Sequence, residues 1–234
     1  MLEKTKELLD HICTHEIFEK YDIRFVGGTA FSYLINHRLS EDLDFAMLDM
    51  HKHEIQDMMD SYGAIQVSLE DKLVDDAAND GEDISYHYLK YLLNGVKIEF
   101  FIPPFNLLEV RYWDDEPTTF YENSKLKVAS LKTLSYMKTM AFWNRKKYRD
   151  LFDIYYLLEN NLYCPKEFLE NYLNCNFTYT KEQLLKKIQS KHDFYLKKND
   201  EGIHTLVDDP KSYDWYRLKI ENFVYDEYLK ELYS

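Results

Sequence analysis

The chain contains little glycine, proline or cysteine and no long hydrophobic run. Its 234 residues include 6 Gly and 5 Pro, which excludes collagen-like and linker-type sequence. The 3 cysteines are far apart and form no CxxC pair, so reduced thiols in a cytoplasmic protein are expected. Charges interrupt the apolar positions of the N-terminal segment, unlike those of a signal peptide, and no run approaches the ~18 residues of a membrane span. These absences predict a soluble, cytoplasmic protein with no membrane partner.

Apolar and aromatic residues are abundant enough for a buried core. Hydrophobic residues make up 45% of the chain and aromatic residues 16%. Domains run to roughly 100–200 residues, so the length suits one large or two small domains. Helix and strand patterns alternate in the first half, and only helical patterns follow Leu126. We therefore predict an α/β domain with a mixed sheet over residues 1–124 and a helical bundle over residues 125–234.

Individual elements follow from periodicity and turn residues. The dipeptide Asn94-Gly95 lies between two strand-like runs, which is a strong hairpin signal. The acidic segment 75–83 is expected to be an exposed loop. The predicted helices cover residues 2–20, 30–39, 53–62, 130–160 (one long helix or two abutting ones), 165–173, 181–191 and 213–232, and the predicted strands cover residues 23–26, 42–47, 64–69, 84–93 and 96–102.

The net charge is strongly negative, yet one segment is basic. The 29 Lys and Arg against 42 Asp and Glu give a charge of −13, which argues against a non-specific nucleic-acid binder. Residues 125–149 nevertheless contain eight basic residues and no acid. This segment indicates either one place that handles a polyanion or a solvated helix face.

A strand followed by Gly27-Gly28-Thr29 and a helix is a candidate phosphate site. At such a turn, unpaired backbone N–H groups and the positive end of the helix dipole meet, and glycine lets an anion approach the backbone. Thr29 is expected to cap the helix or to bind a phosphate oxygen. The alternative is a simple turn.

Two carboxylates follow at positions 42 and 44. Residues i and i+2 of a strand lie on the same face, so Asp42 and Asp44 project side by side. Adjacent carboxylates repel unless a cation lies between them, and Mg²⁺ prefers such oxygen ligands together with a substrate phosphate. The alternative is a hydrated pair at the end of a strand.

A third carboxylate, Glu99, lies in a run whose apolar residues alternate with Lys97, Glu99 and Phe101. If this strand neighbours that of Asp42 and Asp44, Glu99 joins them on one face. Three carboxylates around two Mg²⁺ ions activate an attacking hydroxyl and stabilise a departing pyrophosphate. The alternative is a surface pair of Glu99 with Lys97 or with a neighbouring strand.

The basic segment contains a second candidate group. At 100° per residue, Lys138, Arg145 and Arg149 fall on one helical stripe, with Asp153 close by. These cations suit a triphosphate or an RNA backbone. The alternative is local i,i+4 pairing of Arg149 with Asp153 and of Lys146 with Asp150, each contributing about 0.2–0.5 kcal/mol.

Two motifs together resemble the AbiEii/AbiGii toxin family of nucleotidyltransferases, which have a polymerase-β-like core. The first is Phe25-Val26-Gly27-Gly28-Thr29-Ala30 followed by Arg38-x-Ser40-x-Asp42-x-Asp44-Phe45. The second runs from Met137-Lys138 through basic residues near Arg145 to Arg149-Asp150-Leu151-Phe152-Asp153-Ile154-Tyr155, and is similar to the family's helix with a Lys…Arg…Arg-Asp-x-x-Asp pattern.

The resemblance implies roles for these residues. Gly27, Gly28 and Thr29 would hold nucleotide phosphates, and Asp42 and Asp44 would bind Mg²⁺, with Mn²⁺ as the alternative ion. Lys138 would contact the triphosphate, and Asp150 would be the family's essential helical acid. Arg38 and Ser40 would contact phosphate or brace the loop. Arg145 and Arg149 would bind the nucleotide. The third metal carboxylate is often Asp in related transferases, whereas the candidate here is Glu99.

The resemblance also implies an activity and its partners. Such a toxin transfers a nucleoside monophosphate from an NTP to an acceptor hydroxyl, in some members at the 3′ end of tRNA, and is neutralised by a cognate antitoxin. The residues alone leave two alternatives, a nucleotide- or partner-binding module without turnover and a metal-dependent phosphohydrolase. The base of the NTP and the identity of the acceptor are open.

Overall fold

Among the residues that the structure describes, seven β-strands between Arg24 and Val128 form one mixed sheet, in the order β3-β4-β5-β2-β1-β7-β6. A computed structural model describes residues 1–68, 83–103, 111–175, 178–191 and 203–232. The chain divides into two units, Met1–Leu131 (the N-terminal unit) and Lys132–Ser234 (the C-terminal unit). The strands are β1 Arg24–Val26, β2 Leu43–Ala46, β3 Ile65–Gln66, β4 Tyr88–Leu93, β5 Val96–Phe101, β6 Thr119–Phe120 and β7 Lys127–Val128.

Helices precede, separate and follow these strands along the chain. In the described ranges they are α1 Glu3–Ile12, α2 Ile17–Lys20, α3 Gly27–Ile35, α4 Lys52–Ser61, α5 Arg111–Asp114, α6 Leu131–Asn144, α7 Tyr148–Glu159, α8 Pro165–Asn174, α9 Lys181–Gln189 and α10 Tyr213–Leu232. The mixed α/β core followed by C-terminal helices confirms the predicted fold class. Within the part of the chain that is described, every helix is too short or too polar to cross a membrane.

Alternation along the central strands separates a core face from a polar face. Phe25, Phe45 and Phe100 are fully buried and occupy matching positions of β1, β2 and β5. The ring of Phe45 lies 5.8 Å from that of Phe25 and 5.0 Å from that of Phe100. Burial of each Phe side chain contributes roughly 1.5–3 kcal/mol to the free energy of unfolding. Because successive side chains point to opposite faces, Asp44 and Glu99 lie on the other side of the sheet.

The predicted hairpin at Asn94-Gly95 is confirmed. Asn94 has φ 52° and Gly95 has φ 75°, so both residues adopt the left-handed conformation that a tight two-residue turn requires. Leu93 pairs with Val96 directly across the turn. The register of the whole hairpin follows from this turn, because each further step along β4 pairs with one step along β5.

The C-terminal unit is built from helices around an apolar and aromatic core. In α10, Tyr213, Tyr216, Ile220 and Val224 are buried at helical spacing, and this helix packs against α7, α8 and α9. The helices predicted over residues 165–173, 181–191 and 213–232 are confirmed. Of the two interpretations of residues 130–160, the structure shows two helices, α6 and α7, rather than one.

Three expectations for the N-terminal unit are corrected. The opening helix ends at Ile12, and a second helix begins at Ile17, whose N–H donates a hydrogen bond to the His15 ring. Residues 84–86 form a 3₁₀ turn capped by Asp83, so β4 begins only at Tyr88. Lys127–Val128 form a strand after Leu126, because they pair with β1 in parallel. Residues 69–82, with most of the predicted acidic loop, lie outside the described residues.

Candidate active site

The strand register brings the three predicted carboxylates to one place. Asp44 lies directly opposite Glu99 across the parallel pair of β2 and β5. Asp42 comes two residues before Asp44, just ahead of β2, and so lies on the same side of the chain. The strand of Glu99 is therefore a neighbour of the strand of Asp44, as the grouping of Glu99 with Asp42 and Asp44 required.

A lysine from β5 joins this carboxylate cluster. The Lys97 ammonium lies 2.9 Å from Asp42 Oδ2 and 3.3 Å from Glu99 Oε1, so it bridges two separate segments of chain. Burial alone would lower the pKa of Lys97, but the charges of Glu99, Asp42 and Asp44 outweigh it and raise the pKa to about 12. Lys97 therefore remains positively charged at neutral pH.

Tyr88 is a further member of the cluster, and sequence reasoning missed its role. It lies opposite Phe101 in the hairpin, and its hydroxyl donates a hydrogen bond to Glu99. Burial, followed by the charge of Glu99, raises the pKa of Tyr88 far above its usual range, so the phenol remains protonated. Counting residue pairs outward from the Asn94-Gly95 turn would have placed Tyr88 opposite Phe101, on the face of the sheet that carries Glu99.

The glycine turn contacts the carboxylate cluster directly. Gly27 has φ +74°, and a Cβ built there would lie 2.0 Å from Asp44 Oδ2. Only glycine meets both conditions, since other residues rarely adopt this conformation and any side chain would push Asp44 away. The turn and the carboxylates therefore form one continuous surface at the start of α3.

Arg38 lies at the same turn. A Cβ at Gly28 would lie 2.6 Å from Arg38 Nη2, which places the guanidinium at the N-terminal end of α3. Val26 holds the N-cap position and has no polar side chain to accept from the first N–H groups of the helix. A cation at the positive end of a helix dipole is unfavourable by itself. Arg38 and the backbone together form an environment that suits an anion such as phosphate.

Thr29 and Ser40 hold the loop that carries Asp42. The Thr29 hydroxyl lies 2.8 Å from the Ser40 hydroxyl and hydrogen-bonds the backbone carbonyl of Asp42. Thr29 is 1% exposed and Ser40 3% exposed. The expectation that Thr29 caps the helix is wrong, because α3 begins two residues earlier at Gly27. Both hydroxyls are used to brace the loop against α3.

A second ionic cluster, defined by Lys138, Arg145, Asp150 and Asp153, lies in the C-terminal unit. The Lys138 ammonium is 2.8 Å from Asp150 Oδ1 and 2.9 Å from Asp153 Oδ2. Arg145 donates from Nε to Asp150 Oδ2 at 2.6 Å and from Nη2 to Oδ1 at 3.1 Å. Burial would raise the pKa of Asp150, but Lys138 and Arg145 hold it well below its ordinary value. The two aspartates are buried, whereas the Arg145 side chain is 49% exposed.

The predicted cationic stripe does not lie on one helix. The helix of Lys138 ends at Asn144 and the helix of Arg149 begins at Tyr148, so Arg145 lies between them. Lys191 supports this break by donating hydrogen bonds to the carbonyls of Phe142 and Arg145 at the end of α6. Because Lys191 is buried, its pKa falls to about 8. The single stripe is therefore a wrong interpretation, although Lys138 and Arg145 do meet at Asp150.

The basic segment 125–149 is divided between the two units, and several of its cations are paired with acids. Lys125 and Lys127 belong to the N-terminal unit and pair with Glu19 and Asp22. The remaining basic residues belong to the C-terminal unit, where Lys138 and Arg145 bind aspartates. The sequence alone therefore overstates the net positive charge of this segment, because at least four of its eight basic residues are paired with acidic side chains.

The chemistry of the carboxylate cluster fits a divalent cation. Carboxylate oxygens are preferred ligands of Mg²⁺, and the ammonium of Lys97 between Asp42 and Glu99 shows that a cation is held there. Among the described residues, no group of three or more His, Cys, Asp or Glu side chains has an arrangement that would already hold a metal ion. Asp42, Asp44 and Glu99 remain the predicted ligands of such an ion.

Comparison with a family model identifies a match over most of the chain. The model described as nucleotidyl transferase AbiEii toxin, type IV toxin–antitoxin system, matches residues 8–217. This range contains every candidate site residue named above. A search of curated proteins found no matching sequence.

Solved structures with similar folds include several described as nucleotidyltransferases. A protein from H. pylori assigned as a nucleotidyltransferase has a TM-score of 0.53 and 15% identity, with 99% of each chain covered. The MenT4 nucleotidyltransferase toxin of Mycobacterium tuberculosis has a TM-score of 0.47 and 14% identity, covering 86% of this chain and 74% of its own. The H. pylori likeness shows a shared fold.

Proposed function

The chain belongs to the AbiEii family of nucleotidyltransferase toxins, and on that premise we propose that it uses a divalent ion, Mg²⁺ or Mn²⁺, to transfer a nucleoside monophosphate from an NTP to an acceptor hydroxyl at an RNA 3′ end. It is a nucleotidyltransferase, and enzymes of this kind generally use divalent metal ions. The type IV toxin–antitoxin description implies a nucleotide substrate and an antitoxin partner. A cytoplasmic location, where NTPs and RNA are present, is part of the proposal.

One observation carries the proposal: the glycine turn touches the carboxylate cluster. Asp44 packs on Gly27, and Arg38 lies at Gly28, so an anion site and a cation site adjoin. A nucleotide triphosphate with its metal needs this combination, because the phosphates require N–H donors and the ion requires carboxylates. Asp42, Asp44 and Glu99 would hold the ion, and the backbone of Gly27, Gly28 and Thr29 would bind phosphate.

In the proposed reaction one bond to phosphorus forms and one bond to phosphorus breaks. The acceptor hydroxyl oxygen forms a bond to the α-phosphorus, the bond from that phosphorus to the bridging oxygen breaks, and pyrophosphate leaves. The hydroxyl proton passes to solvent. A bound divalent ion supplies charge stabilisation for the developing phosphate charge. Ser40 and Thr29 position Asp42 by holding its loop.

The residues of the C-terminal unit have separate proposed roles. The Arg145 side chain is about half exposed, although it pairs with Asp150. We therefore assign to Arg145 and Arg149 the binding of nucleotide or RNA phosphates. Asp150 is a positioning residue, because both of its carboxylate oxygens bind Arg145. Lys138 remains a predicted triphosphate contact, although its ammonium binds Asp150 and Asp153 in the structure.

The test is label transfer from each α-³²P-labelled NTP, with Mg²⁺ or Mn²⁺ and total cellular RNA and protein. The Asp44→Asn variant is expected to lose at least about 1000-fold in rate, since losing an ion ligand removes several kcal/mol of transition-state stabilisation. The matched control is Asp49→Asn, which removes an equal charge from an exposed position soon after β2. It should label like the wild type.

Different outcomes separate the competing functions. A labelled RNA band with the wild type and Asp49→Asn but not with Asp44→Asn supports the proposal. Equal labelling by Asp44→Asn contradicts the role of the carboxylates. Release of free nucleotide without labelled acceptor indicates phosphohydrolysis, and nucleotide binding without any product indicates a binding module.

A further inference from the structure

We propose that Lys97 is a built-in counter-ion, which occupies a cation position between Asp42 and Glu99 and is displaced when a divalent ion binds to these carboxylates. The inference rests on the proposed function, because it assumes that a divalent ion binds there. It goes further because it assigns a role to Lys97: this lysine would lower the affinity of the site for the ion before the nucleotide binds.

The first argument is geometric. The Lys97 ammonium contacts Asp42 Oδ2 at 2.9 Å and Glu99 Oε1 at 3.3 Å, and these two oxygens come from separate segments of the chain. An ion that joined the same two carboxylates would use the same oxygen lone pairs. Two cations at one position also repel each other strongly, so the ammonium and the ion exclude one another.

The second argument is electrostatic. Among these four side chains, the carboxylates of Asp42, Asp44 and Glu99 outnumber the single ammonium of Lys97. Without Lys97, three neighbouring carboxylates would repel one another in the metal-free protein. Lys97 therefore stabilises the cluster before an ion binds, and the same contacts lower the affinity for the ion.

The third argument is mobility of the side chain. The Lys97 side chain is 31% exposed, whereas the lysine in the C-terminal cluster, Lys138, is 8% exposed. A lysine has a flexible four-carbon stem and a compact charge that water solvates well. Its ammonium can therefore move into solvent without disturbing the core, which lies on the opposite face of the sheet.

The experiment measures Mn²⁺ binding to the full chain without nucleotide, using the EPR signal of free Mn²⁺. In the Lys97→Met variant, which keeps the length of the stem but removes the charge, Mn²⁺ should bind about tenfold more tightly, or ~1.4 kcal/mol. The Lys97→Arg variant retains a cation that pairs well with carboxylates, so it should bind Mn²⁺ no more tightly than the wild type.

The matched control is Lys90→Met. Lys90 lies opposite Glu99 in the hairpin register, so the substitution removes one positive charge from the same face of the sheet. If loss of nearby charge alone explained tighter binding, Lys90→Met would bind Mn²⁺ as tightly as Lys97→Met does. We expect its affinity to stay within about twofold of the wild type, because the ammonium that contacts both Asp42 and Glu99 is that of Lys97. Circular dichroism of each variant confirms that it is folded.

Two results would overturn the inference, and a third concerns the proposed function. Lys97→Met binding Mn²⁺ no more tightly than the wild type contradicts displacement, as does equal tightening in Lys90→Met. Asp44→Asn provides the reference for the site. If Asp44→Asn loses Mn²⁺ binding while Lys97→Met is unchanged, only the inference about Lys97 fails. If Asp44→Asn binds Mn²⁺ normally, the metal site itself is wrong, and the role of Lys97 with it.

Discussion

Both units of the protein place a lysine between two acidic side chains, but the two clusters differ in burial and in charge balance. Lys97 in the N-terminal unit is 31% exposed, and three carboxylates outnumber it. Lys138 in the C-terminal unit is 8% exposed, and with Arg145 it supplies two positive charges against two aspartates. Surplus charge with solvent access is typical of a ligand site, whereas burial with balanced charge is typical of a structural cluster.

The largest expected difference between the clusters is in stability. In Lys138→Met, Asp150 and Asp153 would be left buried without their shared cation, so we expect the free energy of unfolding to fall by about 3–5 kcal/mol. In Lys97→Met the partly exposed contacts are worth no more than about 1 kcal/mol. Urea unfolding followed by circular dichroism measures both. Equal losses in the two variants would remove the distinction between a structural cluster and a ligand site.

The next effect tests how closely the glycine turn and the carboxylates depend on each other. Gly27→Ala would force a Cβ to within 2.0 Å of Asp44 Oδ2, so we expect transfer activity to fall about 100-fold as the carboxylate moves. Gly63→Ala is the control, since Gly63 has φ +73° and no described atom lies within 4 Å of its Cβ position.

Both alanine variants carry the same backbone strain of about 1–2 kcal/mol, and Gly27→Ala adds the contact with Asp44, so its unfolding free energy should fall at least as far as that of Gly63→Ala. Activity should fall only in Gly27→Ala. If Gly63→Ala loses as much activity, the loss at Gly27 reflects general destabilisation instead of the contact with Asp44.

The smallest expected effect is the acid sensitivity of the C-terminal cluster. The pKa of Asp150 is held below its ordinary value of 3.8, so its contribution to stability is complete above that value and is lost as the pH falls through the lower folded pKa. The loss is at most about 1.4 kcal/mol per pH unit. The difference in unfolding free energy between the wild type and Asp150→Asn should therefore shrink below about pH 4. A constant difference between pH 5 and pH 3 would contradict the low pKa.

Several features of the site could be predicted from local pattern. Alternation of apolar and polar residues placed Asp44 and Glu99 on polar strand positions, and the Asn94-Gly95 turn predicted the hairpin that carries Glu99. Two Gly residues between a strand and a helix predicted the turn at Gly27. These features depend on residues close together in sequence, so their backbone preferences and periodicity are sufficient.

Other features depended on contacts between distant residues. No local pattern showed that residues 127–128 pair with β1, because a two-residue strand has no readable period. The break after Asn144 was not predicted either, since Lys191, 46 residues beyond Arg145, supports it. The cationic stripe was wrong for this reason, as helical spacing applies only while one helix continues.

By itself, the sequence determined the residue types, the glycine turn, the strand alternation and the motifs that match one family. Only the tertiary structure decided that Asp44 faces Glu99, that Lys97 bridges Asp42 and Glu99, and that Lys138 is buried between aspartates. The physical reason is that burial and charge pairing are properties of several chain segments together. A lysine among acids is therefore partly exposed and outnumbered by carboxylates in one unit, and buried with balanced charge in the other, according to the solvent access and charge that the fold provides.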